Sequence, residues 1–170
     1  MKRIFILGLL ALSVSCFGQT KNKISSKQPI NKYCGTYDLV TNAKNGKSGE
    51  LIIYPEANNT FLFYINLNRG APSYNMGALY GRVTIVNDTG TFYFKYDYAD
   101  TGCKWFLKFS KKTVTIVTKD NQYECGFGHA VSADGIYKLI SPVISETFKD
   151  MDGKTISFKT TKPEEYNKYR

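Results

Sequence analysis

The sequence contains a single histidine and no Gly-x-Ser-x-Gly elbow, so a Ser-His-Asp or Cys-His nucleophile would have to be built on His129 with no supporting motif. It also lacks any Cys-x-x-Cys pair, which with one histidine excludes the common zinc sites. Asp150, Asp152 and Gly153 resemble the start of a calcium loop, but the glutamate that an EF-hand needs at its twelfth position is missing. The acidic residues form no constellation in sequence. An enzyme is therefore not expected, and neither is a metal or a cofactor.

Long apolar runs are absent too. The longest, Ile4–Ser15, follows Lys2 and Arg3 and is too short to span a bilayer. Residues 1–18 read instead as a secretory signal peptide, with cleavage after Gly18 freeing Gln19. Cleavage before Cys16 is the alternative, and it would make a lipoprotein anchored through that cysteine. Either exit places the protein in the periplasm, at the cell surface or outside the cell. Residues 19–32 are polar and aperiodic and read as a flexible leader.

Acidic residues are outnumbered. Loss of Lys2 and Arg3 with the signal leaves 21 basic against 14 acidic residues, a net charge of +7. Such a field favours anionic partners, namely lipopolysaccharide, another acidic polymer of the envelope, or an acidic protein. Nucleic acid is not expected, although basic and aromatic residues interleave in FYFKYDY and CKWFLKF. Their period of two turns most of those rings inward, and an exported protein meets little nucleic acid.

What is present is β-pattern. Thr91 to Asp120 holds three segments alternating apolar and polar residues, separated by short polar breaks. Phe92, Phe94, Tyr96 and Tyr98 share one face, as do Cys103, Trp105, Leu107 and Phe109, and then Val114 and Ile116. A turn at Lys111-Lys112 sets Phe109 opposite Val114 and Leu107 opposite Ile116. Further strands are expected at Cys34–Thr41, Glu50–Tyr54, Thr60–Leu67, Ala78–Val86 and Ile136–Ile140, with turn-forming residues between them. Gly81 lies on an inward face, where glycine suggests a bulge or bend. Asp134-Gly135 suggests a tight turn into the last strand.

The result is an all-β domain over residues 33–140. About eight short antiparallel strands, each with one apolar face, either close into a small barrel or pack as a two-sheet sandwich. The many inward aromatics favour a barrel with a filled interior. Residues 141–170 are expected to form a C-terminal extension packed outside the barrel, as a hairpin or strand with a short helix at Pro163 to Tyr169.

Three cysteines remain in the mature chain, which allows one disulfide and one orphan. Cys103 opens one strand and Cys125 follows the next by a few residues, so these two are expected to pair. Closing a loop of about twenty residues contributes roughly 3 kcal/mol. Cys34 is then either buried in the first strand or a thiol open to intermolecular pairing.

Two loops carry more recognition chemistry than connection requires. NRGAPSYNMG, ten residues from Asn68, offers Arg69, Ser73, Tyr74, Asn75 and Met76. CGFGHAV adds Phe127 and His129 between glycines. The candidate binding residues are therefore Arg69, Ser73, Tyr74, Asn75, Met76, Phe127 and His129.

The pattern of Cys103, Cys125-Gly126-Phe127-Gly128, Val131 and Asp134-Gly135-x-Tyr137 resembles small secreted β-barrel proteins of the Bacteroidetes type. More distantly it is similar to periplasmic lysozyme inhibitors, which are small disulfide-bearing β-barrels of bacterial envelopes. The resemblance implies a binding role of inhibitor type and transfers no functional residue. A charge of +7 opposes docking on a basic lysozyme. The expected function is thus a non-enzymatic exported binding module, and the alternative is a lipocalin-like carrier of a small apolar ligand.

Overall fold

The computed structural model describes residues 30–169 apart from 42–45, 98 and 121. The signal segment, the Cys16 alternative and residues 19–29 of the leader lie outside the described residues. Tyr98, expected on the meander's inner face, lies outside them as well.

Eight antiparallel strands close into a barrel in simple up-and-down order. They are β1 (Gly35–Leu39), β2 (Ser48–Pro55), β3 (Thr60–Asn68), β4 (Met76–Val86), β5 (Thr89–Phe94), β6 (Cys103–Phe109), β7 (Thr113–Lys119) and β8 (Gly135–Ser141). β8 returns to pair with β1, setting Leu39 against Tyr137, so no long edge is left open to another chain. The barrel form is the one the inward aromatics favour over a sandwich.

Strict alternation makes the meander's register unambiguous. In β6, Cys103, Trp105, Leu107 and Phe109 are buried while Lys104, Phe106 and Lys108 are exposed. Phe109 pairs with Val114 and Leu107 with Ile116, as the turn at Lys111-Lys112 requires. A one-residue slip would send Trp105 into water and Lys104 into the core. Between β4 and β5 the two-residue turn Asn87-Asp88 has positive φ at both positions, the backbone twist that suits a tight hairpin.

The interior is filled by rings. Phe63 meets Phe92 edge-on at 5.0 Å between centroids, and Phe92 lies 5.0 Å from Trp105. Tyr33, in a 3-10 turn over Ile30–Tyr33, plugs one end against Phe61 and Phe109. That turn is tied to the β4–β5 hairpin: Lys32 Nζ reaches Asp88 at 2.8 Å, and the Tyr33 hydroxyl donates to the same carboxylate. Gly81 makes no bulge. It pairs in register with Phe63, and its missing side chain makes room for rings, since a Cβ there would lie 2.5 Å from Phe63 and 2.6 Å from Phe92.

The expected β5 runs too far. It ends at Phe94, because the chain turns at Tyr96 to Ala99, where the Ala99 N–H donates to the Tyr96 carbonyl. Tyr96 packs edge-on against Phe94 instead of continuing the inner face. Asp134-Gly135 is not a turn either. The turn lies at His129-Ala130, and the Asp134 carboxylate instead accepts the Thr118 N–H at 2.5 Å.

The C-terminal segment forms hairpin β9 (Thr147–Lys149) with β10 (Thr155–Ser157), then the short helix α1 (Pro163–Tyr166). It covers the outer face of β2–β4. Ile52, Leu62, Tyr64, Ala78 and Tyr80 point out of the barrel yet are buried, together with Phe148, Ile156 and Phe158. Phe148 stacks on Tyr64 at 4.0 Å, and Tyr54 stacks on Phe158 at 5.2 Å. Polar ties close the layer: Tyr80 donates to the Thr161 carbonyl, the Asn167 amide to the Tyr80 carbonyl, and Arg82 bridges Glu56 and Glu164. β3 is therefore buried on both faces, and its run FLFYI reads as continuously apolar for that reason.

Candidate functional site

In an up-and-down barrel the connections alternate between the two ends. Here one end carries compact turns at 56–59, 87–88 and 110–112, and the other carries the longer connections at 40–47, 69–75, 95–102 and 120–134. Both loops singled out in the sequence belong to the second end.

The β3–β4 loop is shaped by its own backbone. The Asn68 carboxamide oxygen accepts the Gly70 N–H at 2.6 Å, Arg69 N–H donates to the Asn75 carbonyl, and Tyr74 N–H donates to the Gly70 carbonyl. The Ala71–Pro72 peptide is cis. Tyr74, at φ 50° and 65% exposed, is presented to solvent, and Ser73 stands exposed beside it.

The β7–β8 loop meets this one directly. Asn75 Nδ2 donates to the His129 carbonyl at 2.9 Å, and Gly128 N–H donates to the Met76 carbonyl at 2.9 Å. Phe127 is half-buried. Its ring lies over Gly77, where a Cβ would come within 2.5 Å, and it packs against the barrel core with Trp105 at 6.0 Å between ring centroids. Phe127 thus joins rim to core and offers less to a partner than its sequence context suggests. His129 is exposed. Of the seven candidates, Arg69, Ser73, Tyr74, Asn75, Met76 and His129 gather on one rim with Phe127 beneath them.

The rim is cross-linked on its other flank. Cys103 and Cys125 form a disulfide with Cα atoms 4.5 Å apart, tying the start of β6 to the 3-10 turn Gln122–Cys125. The Glu124 carboxylate accepts the N–H groups of Thr101, at 2.7 Å, and Gly102. These backbone donors, led by Gly102, hold its carboxyl below the usual range. Cys34 stands outside the disulfide and is buried, and that burial pushes its thiol up to about 12. Such a thiol is un-ionised at neutral pH and poorly reactive.

Two shallow depressions share a wall made by Lys47, Leu67 and Asn68. One, of about 270 Å³, adds Arg69, Ala71 and Ala130 to Ser132. The other, of about 360 Å³, adds Asp38, Glu50, Asn66 and Met76. Their charges are opposite, basic on the Arg69 side and acidic on the Asp38 side. Asp38 and Glu50 are cross-strand neighbours, and burial followed by the Asp38 charge raises the Glu50 carboxyl. Lys47, Asp38 and Glu50 were not among the sequence candidates. The only signal for them is the β1–β2 register, which the sequence does not fix across a connection of that length.

Among the described residues no group of three or more His, Cys, Asp or Glu side chains could hold a metal ion, and no helix is long and apolar enough to cross a membrane. Comparison with protein-family models, with curated proteins and with solved structures finds no match for this chain.

Proposed function

We propose that this protein is an exported, non-enzymatic binding module of the bacterial envelope or extracellular space, and that the long-loop rim is its recognition surface. One observation carries the reading: the two loops with surplus recognition chemistry are hydrogen-bonded to each other through Asn75–His129 and Gly128–Met76. A pre-organised surface loses little conformational entropy on binding, which is what a recognition site needs. Tyr74 is the exposed aromatic anchor, and Arg69 with Lys47 forms the cationic side toward an acidic group on a protein or anionic envelope component. Inhibition of a partner enzyme is one form such binding takes.

The filled interior supports this reading over carriage of an apolar ligand inside the barrel. Phe63, Phe92 and Trp105 occupy the space a carrier would leave for its cargo. The segment 1–18 and the disulfide both agree with export. Intact mass of the exported protein distinguishes an N-terminus at Gln19 from a lipidated Cys16.

The test is retention of partners from envelope or host extracts on the immobilised protein. The pair Arg69→Ala and Tyr74→Ala is expected to abolish retention while leaving thermal unfolding unchanged. Retention that survives both substitutions sinks the rim as the binding surface.

A further inference from the structure

The barrel wall opposite the C-terminal layer carries a second feature, independent of the rim. Strands β5–β8 contain no acidic residue, and they bear Lys104, Lys108, Lys119 and Lys138, all pointing out and exposed. Lys111 and Lys112, in the β6–β7 turn at the end of these strands, are exposed as well. By contrast, β1–β4 carry Asp38, Glu50 and Arg82. The charge of the barrel is therefore one-sided.

The lysines frame an apolar centre. Phe106 and Val117 are paired across β6 and β7 and are 36% and 40% exposed, and Ile136, opposite Thr115 on β8, is 50% exposed. On one side of that centre Lys104 and Lys119 sit directly opposite each other; on the other side lies Lys108. Like charges in cross-strand contact cost stability unless something anionic lies over them. Among the described residues no ion pair involves any of these lysines. Three acids border the face. Asp134 accepts the Thr118 N–H, Asp120 follows Lys119 at the loop end, and Asp38 on β1 is the direct cross-strand partner of Lys138, so the unopposed lysines are Lys104, Lys108 and Lys119 on β6 and β7.

From this juxtaposition we infer that the outer face of β5–β8 docks on an anionic lipid bilayer, with the ammonium groups on lipid phosphates and Phe106, Val117 and Ile136 entering the headgroup–acyl boundary. Both halves of the pattern fit that occupant. Exposed aliphatic and aromatic side chains gain from the boundary region, and lysines on flexible stems reach phosphates at varied positions. A hydrated acidic polysaccharide gives the apolar centre no partner. Protein interfaces are depleted in lysine and enriched in arginine, whereas these four strands hold four lysines and no arginine.

The experiment is co-sedimentation of the exported chain, purified without a lipid anchor, with vesicles of phosphatidylcholine alone or mixed equally with phosphatidylglycerol. Binding is expected only to the anionic vesicles, and it should weaken as salt rises. Each lysine near an anionic surface changes partition about five-fold, so Lys104→Ala with Lys119→Ala lowers it about thirty-fold. Phe106→Ser should reduce binding at every salt concentration with unfolding unchanged, and Arg69→Ala with Tyr74→Ala should leave it intact. The inference is overturned if neutral vesicles bind equally or if the lysine pair has no effect. It is also overturned if only soluble polyphosphate binds, indifferent to Phe106, which would assign the face to a polyanion in place of a membrane.

Discussion

Replacing Phe148 by alanine tests whether the C-terminal extension is part of the folded core or an ornament on it. Phe148 is 3% exposed. Its ring stacks on Tyr64 at 4.0 Å and meets Phe158, Tyr80 and Tyr166 at 5.0, 5.1 and 5.8 Å, so four aromatic partners lose a common neighbour. Deleting a buried phenylalanine costs about 3–5 kcal/mol, the range reflecting how far the site can collapse. A layer one hairpin thick relaxes more readily than a barrel interior, which places the expected loss near the lower bound, about 3 kcal/mol. For a domain of this size that is a fall of roughly 6–12 °C in midpoint. Urea unfolding is the assay, because it also reads cooperativity. If the extension and barrel share one core, the midpoint falls with the slope unchanged. A loss below about 1 kcal/mol would refute the reasoning, since it lies outside what burial of a phenylalanine implies. So would a chain ending at Ser141 that stays soluble with an unchanged midpoint, because Leu62, Tyr64 and Tyr80 would then face water.

Reduction of the Cys103–Cys125 disulfide, or changing either cysteine to serine, should cost about 3 kcal/mol from its separation of 22 residues. Thermal unfolding with and without reductant measures this, and non-reduced peptide mapping that links Cys34 to either cysteine would sink the pairing. Gly81→Ala puts a methyl group within 2.6 Å of Phe63 and Phe92, so it should destabilise by about 1–3 kcal/mol in urea; a neutral outcome would show that the ring cluster has room to give. Burial holds the Tyr37 hydroxyl up to about 12 and those of Tyr80 and Tyr137 higher still. A raised pKa means stability that is complete below the unfolded value of about 10 and lost as pH rises toward the folded one. The part of the tyrosinate absorbance that belongs to these three should therefore appear in a step coincident with loss of the far-ultraviolet dichroism, and ionisation of every tyrosine with the dichroism intact would contradict the buried assignment.

The barrel was readable because its signals are local. Alternation over seven residues assigns a face, and a turn of fixed length assigns the partner, which is why Phe109–Val114 and Leu107–Ile116 follow from the sequence. The same logic overshoots where alternation outlasts the strand. Tyr96 continues the period of two, but nothing in that period records that the chain turns there and that the ring packs beside Gly126 on the rim. The second layer was half legible. Placement of the extension outside the barrel followed from a closed barrel having no other place for it, yet its seat on β2–β4 did not. A signal for the seat existed in FLFYI, where apolar residues at consecutive positions mark a strand covered on both faces.

Strand parity says more about the candidate site than composition does. With eight antiparallel strands in sequence order, connections after odd-numbered strands all fall at one end, so the loops after β3 and β7 must share a rim. Parity alone does not make them touch, because β4 and β7 are not neighbours in the sheet. Contact requires the β7–β8 connection to be long enough to reach from β7 to the start of β4, and the fifteen positions 120–134 are. On the way it buries Cys125, Val131 and Ala133 in the barrel core, so the segment that seals the open end is also the one that positions His129 and Gly128 against Asn75 and Met76. Sealing the barrel end and shaping the rim are then one structural solution: the apolar residues of the loop anchor it, which leaves its polar edge and the β3–β4 loop fixed as a single surface.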